Sequence, residues 1–69
     1  MIEKVYVLAC RENGEVFSSY MQEERANAAL IAQEEQDKRD ETFEPNFYKV
    51  EGIYKDDVRF ADAVKFADK

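Results

Sequence analysis

The chain reads as a single α+β domain. It has a β-hairpin, one long acidic helix, a third antiparallel edge strand (sheet order 2-1-3) and a short C-terminal helix. Three observations predict this. A β-branched and aromatic run fills residues 4–10, and a second, alternating run fills 47–54. Asn13-Gly14 follows the first run as a turn signal. Between the runs, the segment from Tyr20 to about Asp40 is rich in Ala, Glu, Gln, Leu and Arg, all good helix formers.

In residues 4–10 the odd positions give Val5, Val7 and Ala9, and the even positions give Tyr6, Leu8 and Cys10. Both faces are apolar, as in a central strand. A two-residue type I′ turn at Asn13-Gly14 pairs Glu12 with Glu15, Cys10 with Phe17 and Leu8 with Ser19. Ser19 and Gln22 then fit a capping box, with Ser19 as N-cap. On the helix, Met21, Ala26, Ala28, Ala29, Leu30 and Ala32 form an apolar stripe. Glu23, Glu24, Asn27, Glu34, Glu35 and Lys38 form the opposite face, with Ile31 among them. Glu34 with Lys38 and Glu35 with Arg39 are i,i+4 pairs in the favourable order.

Pro45 ends helical geometry at Glu44. Residues 47–54 alternate, with Tyr48, Val50 and Tyr54 on one side and Lys49, Glu51 and Ile53 on the other, which suits an edge strand. Asp56 or Asp57 can cap a last helix from Val58 to about Asp68, with Phe60, Ala63, Val64 and Ala67 on its inner side and Phe66 off it. The long helix covers one sheet face. The other is covered either by the last helix or by a second chain, so a homodimer is expected.

Size and charge narrow the function. The 69 residues form one domain, 1–69, with no disulfide framework, since Cys10 is the only cysteine. There is no histidine, so no metal site and no cofactor are expected. Cys10 reads as a small core hydrophobe, and there is no Gly-rich phosphate loop. No catalytic constellation emerges, so an enzyme is not expected. The opening residues lack a signal-peptide shape, and no apolar run reaches the ~20 residues that cross a membrane. A cytoplasmic protein with no membrane partner is the expectation.

The net charge is −6, and residues 19–44 hold nearly all of it, with eight acids against three bases. Residues 45–69 hold five of each. Such a balance disfavours direct nucleic-acid binding, which Lys and Arg drive. A direct nucleic-acid binder would use Lys55, Arg59, Lys65 and Lys69. The expected protein-binding residues are therefore Glu23, Glu24, Asn27, Ile31, Glu34, Glu35 and, if the helix persists, Glu41. Their natural partner is a protein with a basic surface. The bland alternative is a solvated helix face that keeps the chain soluble.

The layout Val5-Tyr6-Val7-Leu8, then Asn13-Gly14-Glu15-Val16-Phe17-Ser18-Ser19, an Ala/Glu helix and Phe47-Tyr48-Lys49-Val50-Glu51 resembles small bacteriophage and prophage β-β-α-β proteins. The resemblance covers about residues 4–54 and its motifs are structural. It implies a protein that binds and inhibits one host protein in the host cytoplasm, in some cases by presenting acids where nucleic acid would sit. No site residue carries over from it. The competing expectation is an interaction or assembly module that works through its apolar sheet face or its C-terminal helix.

Overall fold

A computed structural model describes residues 3–68; Met1, Ile2 and Lys69 lie outside the described residues. The elements are β1 (Lys4–Cys10), β2 (Val16–Tyr20), α1 (Glu23–Arg39), β3 (Tyr48–Tyr54), α2 (Phe60–Lys65) and β4 (Ala67–Asp68). The sheet order is β3-β1-β2-β4. Both neighbours of β1 are antiparallel to it, so the expected 2-1-3 order is present. β4 adds two residues in parallel beyond β2, pairing Ser19 with Ala67 and Tyr20 with Asp68.

β1 is the centre of the core because both of its faces are apolar. Val5, Val7, Leu8, Ala9 and Cys10 are all buried. Val5, Val7 and Ala9 cluster with Ile53 and Ala63, against Met21, Phe60 and Val64. α2 therefore lies on the odd-numbered face of β1, and no second copy is needed to bury those three residues. Asp57 Oδ1 accepts the Arg59 backbone N–H at 2.8 Å and leads the chain into α2. α2 has six residues, not the expected eleven: it begins at Phe60 rather than Val58, and at its other end Ala67 and Asp68 are taken by the edge of β2.

α1 lies on the even-numbered face, with a narrower inner stripe than expected. Ala26 is fully buried; Ala29, Leu30, Gln33 and Asp37 are half-buried, and Ala28 and Ala32 are exposed. The rotation has a visible cause. Tyr48 faces the even side, opposite Cys10, and its hydroxyl donates to Asp37 Oδ2 at 2.6 Å. Gln33 Nε2 donates to Asp37 Oδ1 at 3.0 Å. This polar clamp turns residues 33 and 37 toward the sheet, on the same helical line as Ala26.

Both ends of α1 differ from expectation. Ser19 is a buried β2 residue paired with Val7, not a cap. The N-cap is Gln22, in extended geometry but without a side-chain cap bond. At the C-terminus the Thr42 N–H donates to the Asp37 carbonyl at 2.8 Å and the Glu41 N–H to the Lys38 carbonyl at 3.2 Å. That is a Schellman motif with Glu41 in the left-handed position at φ 60°, where glycine is usual.

The hairpin also differs. Cys10 N–H donates to the Glu15 carbonyl and Gly14 N–H to the Cys10 carbonyl, both at 2.8 Å. The loop therefore has four residues, 11–14, and only Gly14 takes positive φ, at 74°. Asn13 instead uses its side-chain oxygen to accept the Glu15 N–H at 2.9 Å. The register runs Leu8 to Ser18 and then, across a bulge, Ala9 to Val16. Phe17 takes up the extra residue and packs edge-on against Tyr48 at 5.6 Å.

Candidate protein-binding face

The acidic face is built by the same clamp that seats α1. With Ala26, Gln33 and Asp37 facing the sheet, the solvent pole of the helix carries Glu24, Ala28, Ile31 and Glu35 at about 100° per residue. Glu23, Glu24, Asn27 and Glu35 are exposed, and Glu34 is half-buried at the edge beside Leu30. Ile31 is 57% exposed. Glu24 and Glu35 stand ~16 Å apart along the axis at 1.5 Å per residue. Glu41 does not extend this line, because the helix ends at Arg39 and Glu41 turns away in the C-terminal cap.

Two local effects explain part of the charge. Glu23 and Glu24 lie in the first turn, and Lys38 and Arg39 in the last. Each sign sits at the helix end whose dipole it complements. The middle acids have no such role. The expected pairs Glu34–Lys38 and Glu35–Arg39 are absent from the ion pairs of the described residues, which join Lys49 and Arg59 to Glu51, Lys55 to Glu3 and Arg59 to Asp57. Lys38 instead sits over the Phe43 ring at 4.8 Å. Glu34 and Glu35 thus flank Ile31 uncompensated.

Other candidates resolve differently. Cys10 is a free thiol, 3% exposed, in the core strand. No group of three or more metal-ligating side chains comes together among the described residues. No helix among them is long and apolar enough to cross a membrane. Of the basic set, Lys55 and Arg59 are engaged in the ion pairs just named, and Lys65 lies over Phe66 at 5.6 Å. Arg59 holds Asp57 down to about 2 and also lowers Glu51, chiefly by side-chain hydrogen bonds.

Two features went unseen in the sequence. Lys4 lies over Gly52 between the Tyr6 and Tyr54 rings, 5.0 and 4.7 Å from their centroids. The neighbouring Tyr54 raises its pKa. The signal was available, since a glycine opposite Tyr6 leaves room for a long side chain. The second feature is a groove of about 360 Å³ between β2 and α2, floored by Ile53 and Ala63 and rimmed by Arg59 and Asp62. Val16, Phe17 and Phe66 line it while 42%, 48% and 72% exposed.

No family model matches the chain, and no curated protein or solved structure matches it either.

Proposed function

We propose that this chain is a non-enzymatic, phage-type protein that binds and inhibits a host protein by laying α1 on a basic, nucleic-acid-binding surface. The observation that carries the reading is Ile31, 57% exposed, with Glu24 and Glu35 beside it at the solvent pole and Glu34 at the edge, none of them in an ion pair among the described residues. Glu23, Glu24, Glu34 and Glu35 supply charge in the place of phosphates, which raises the encounter rate and sets orientation. Ile31 supplies an apolar anchor inside a polar rim, and Asn27 a neutral hydrogen-bonding group beside it. α1 offers this surface with its own backbone bonds satisfied, so binding needs no folding of the helix.

The test is a pull-down from host lysate at low and high salt, with Glu→Lys changes at Glu23, Glu24, Glu34 and Glu35. The expected result is salt-sensitive capture of a nucleic-acid-binding protein, competition by nucleic acid and loss of capture in the reversed variant. Normal capture by a folded quadruple variant sinks the reading and leaves the acids as a solvated face. The groove beside β2 favours a second reading, an interaction module that uses the opposite side of the sheet.

A further inference from the structure

We propose that the outer edge of β2 at residues 16–18, with the groove beside it, takes a short extended segment of another protein that carries alternating apolar residues and a Lys or Arg. The backbone sets the occupant's shape. β4 pairs only with Ser19 and Tyr20, so among the described residues the outer edge of 16–18 has no strand partner. Unpaired strand-edge groups are a template for one more strand. Val16–Tyr20 carries neither Lys nor Pro to block pairing, and the bulge leaves Phe17 without a partner on β1.

The side chains set its chemistry. Val16, Phe17 and Phe66 leave apolar surface exposed beside the open edge. Clustered apolar exposure of this kind marks a contact site. Arg59 on the rim is already engaged, at 2.8 Å by Glu51 and at 2.9 Å by Asp57. Asp62 on the same rim is in no ion pair among the described residues, and neither is Glu15, which directly precedes the open edge. The groove is thus apolar, with Lys65 over the Phe66 ring on one side and the unpaired carboxylates of Asp62 and Glu15 elsewhere around it, and a basic residue in the incoming segment can meet those two acids.

A second copy fits worse. Antiparallel pairing of two such edges about Phe17 sets Glu15 of the copy opposite Ser19, where Ala67 already sits. It also brings Glu15 and Asp62 of both copies into one interface, and like charges there oppose association. The proposal is independent of the one for α1, because the two surfaces lie on opposite faces of the sheet.

The experiment pans the full 69-residue chain against a displayed random heptapeptide library. Synthetic peptides made from the enriched sequences are then titrated into labelled protein and followed by amide NMR. The expected peptides alternate apolar and polar residues and carry Lys or Arg. They shift the amides of residues 16–18 and slow their exchange. Asp62→Lys weakens them several-fold and lowers their salt dependence, as reversal of one rim charge should, and the fourfold reversal on α1 leaves them unchanged. Val16→Lys, a change at an exposed edge position, also abolishes binding and guards against a misfolded Asp62→Lys variant. Four outcomes overturn the proposal: no enrichment, enrichment of helix-patterned peptides, shifts confined to α1, or a dimer in sedimentation that Val16→Lys disrupts.

Discussion

Removing one hydroxyl tests what seats the acidic helix. Tyr48→Phe deletes the 2.6 Å bond to Asp37 Oδ2 and keeps the ring, with its edge contacts to Phe17 at 5.6 Å and Phe47 at 4.9 Å. A bond to a charged acceptor is worth about 1.5–3 kcal/mol when well shielded. Tyr48 is only half-buried, and Asp37 keeps its bond from Gln33, so the bond counts as an ordinary partly solvated one and about 1 kcal/mol is expected. For a domain this small that lowers Tm by roughly 4–8 °C. The pH dependence gives an independent readout. Asp37 accepts the hydroxyl's bond and pushes the Tyr48 pKa from 10.0 to about 12. Below pH 10 both folded and unfolded chains hold the phenolic proton, and the stabilisation is complete. Between 10 and 12 the unfolded chain has lost it and the folded chain has not, so stability falls as pH rises. The advantage of the wild type over the variant in thermal melts should be largest at neutral pH and shrink as pH rises above 10. Equal melting temperatures at pH 7, or a constant gap to pH 12, would refute the clamp.

Three further changes probe the turns and caps. Glu41→Gly relieves a left-handed residue at φ 60° and should stabilise by about 0.5–1 kcal/mol, read by chemical denaturation. Gln22→Asp gives α1 the side-chain cap it lacks, and should add about 1 kcal/mol in the same assay. Gly14→Val has open space for its side chain but forces a β-branched residue to φ +74°; it should cost more than about 1 kcal/mol, and an unchanged Tm would remove that strain from the hairpin.

What the sequence disclosed and what it hid divide along the range of the interactions. β1 was legible because its own seven residues are apolar on both faces. The long helix was legible from composition, and β3 from alternation. Most of the failures involve partners on another element. Ser19 looks like a cap in its local context, but Val7 and Ala67 pair with it, and Ala67 lies 48 positions away. The same pairing shortens α2. The rotation of α1 comes from Tyr48 meeting Asp37, eleven positions apart on different elements. Asn13-Gly14 announced a turn correctly, but loop length depends on which residues close it, and a bulge at Phe17 moved that closure to Cys10 and Glu15. The acidic face was readable because it lies on one helix. The groove was not, since β2, β3 and α2 each supply part of its wall.

The placement of charge argues for two working sides rather than one. Solubility needs acids but does not need them together, and scattered charge of both signs serves it well. Here residues 19–44 concentrate eight acids, while residues 45–69 balance five against five. Concentration raises self-repulsion on α1, a helix that buries only Ala26 completely and is held to β3 by a polar clamp. The dipole accounts for Glu23 and Glu24 but not for Glu34 and Glu35 around an exposed Ile31. Meanwhile the carboxylates of Glu51 and Asp57 are tied to Arg59, so the opposite face of the sheet keeps most of its charge internally matched and its apolar surface open. A chain needing only to remain dissolved has no reason to divide its surface in this way. The two proposed contacts, one polar and steered by α1, the other apolar and strand-like beside β2, would supply that reason.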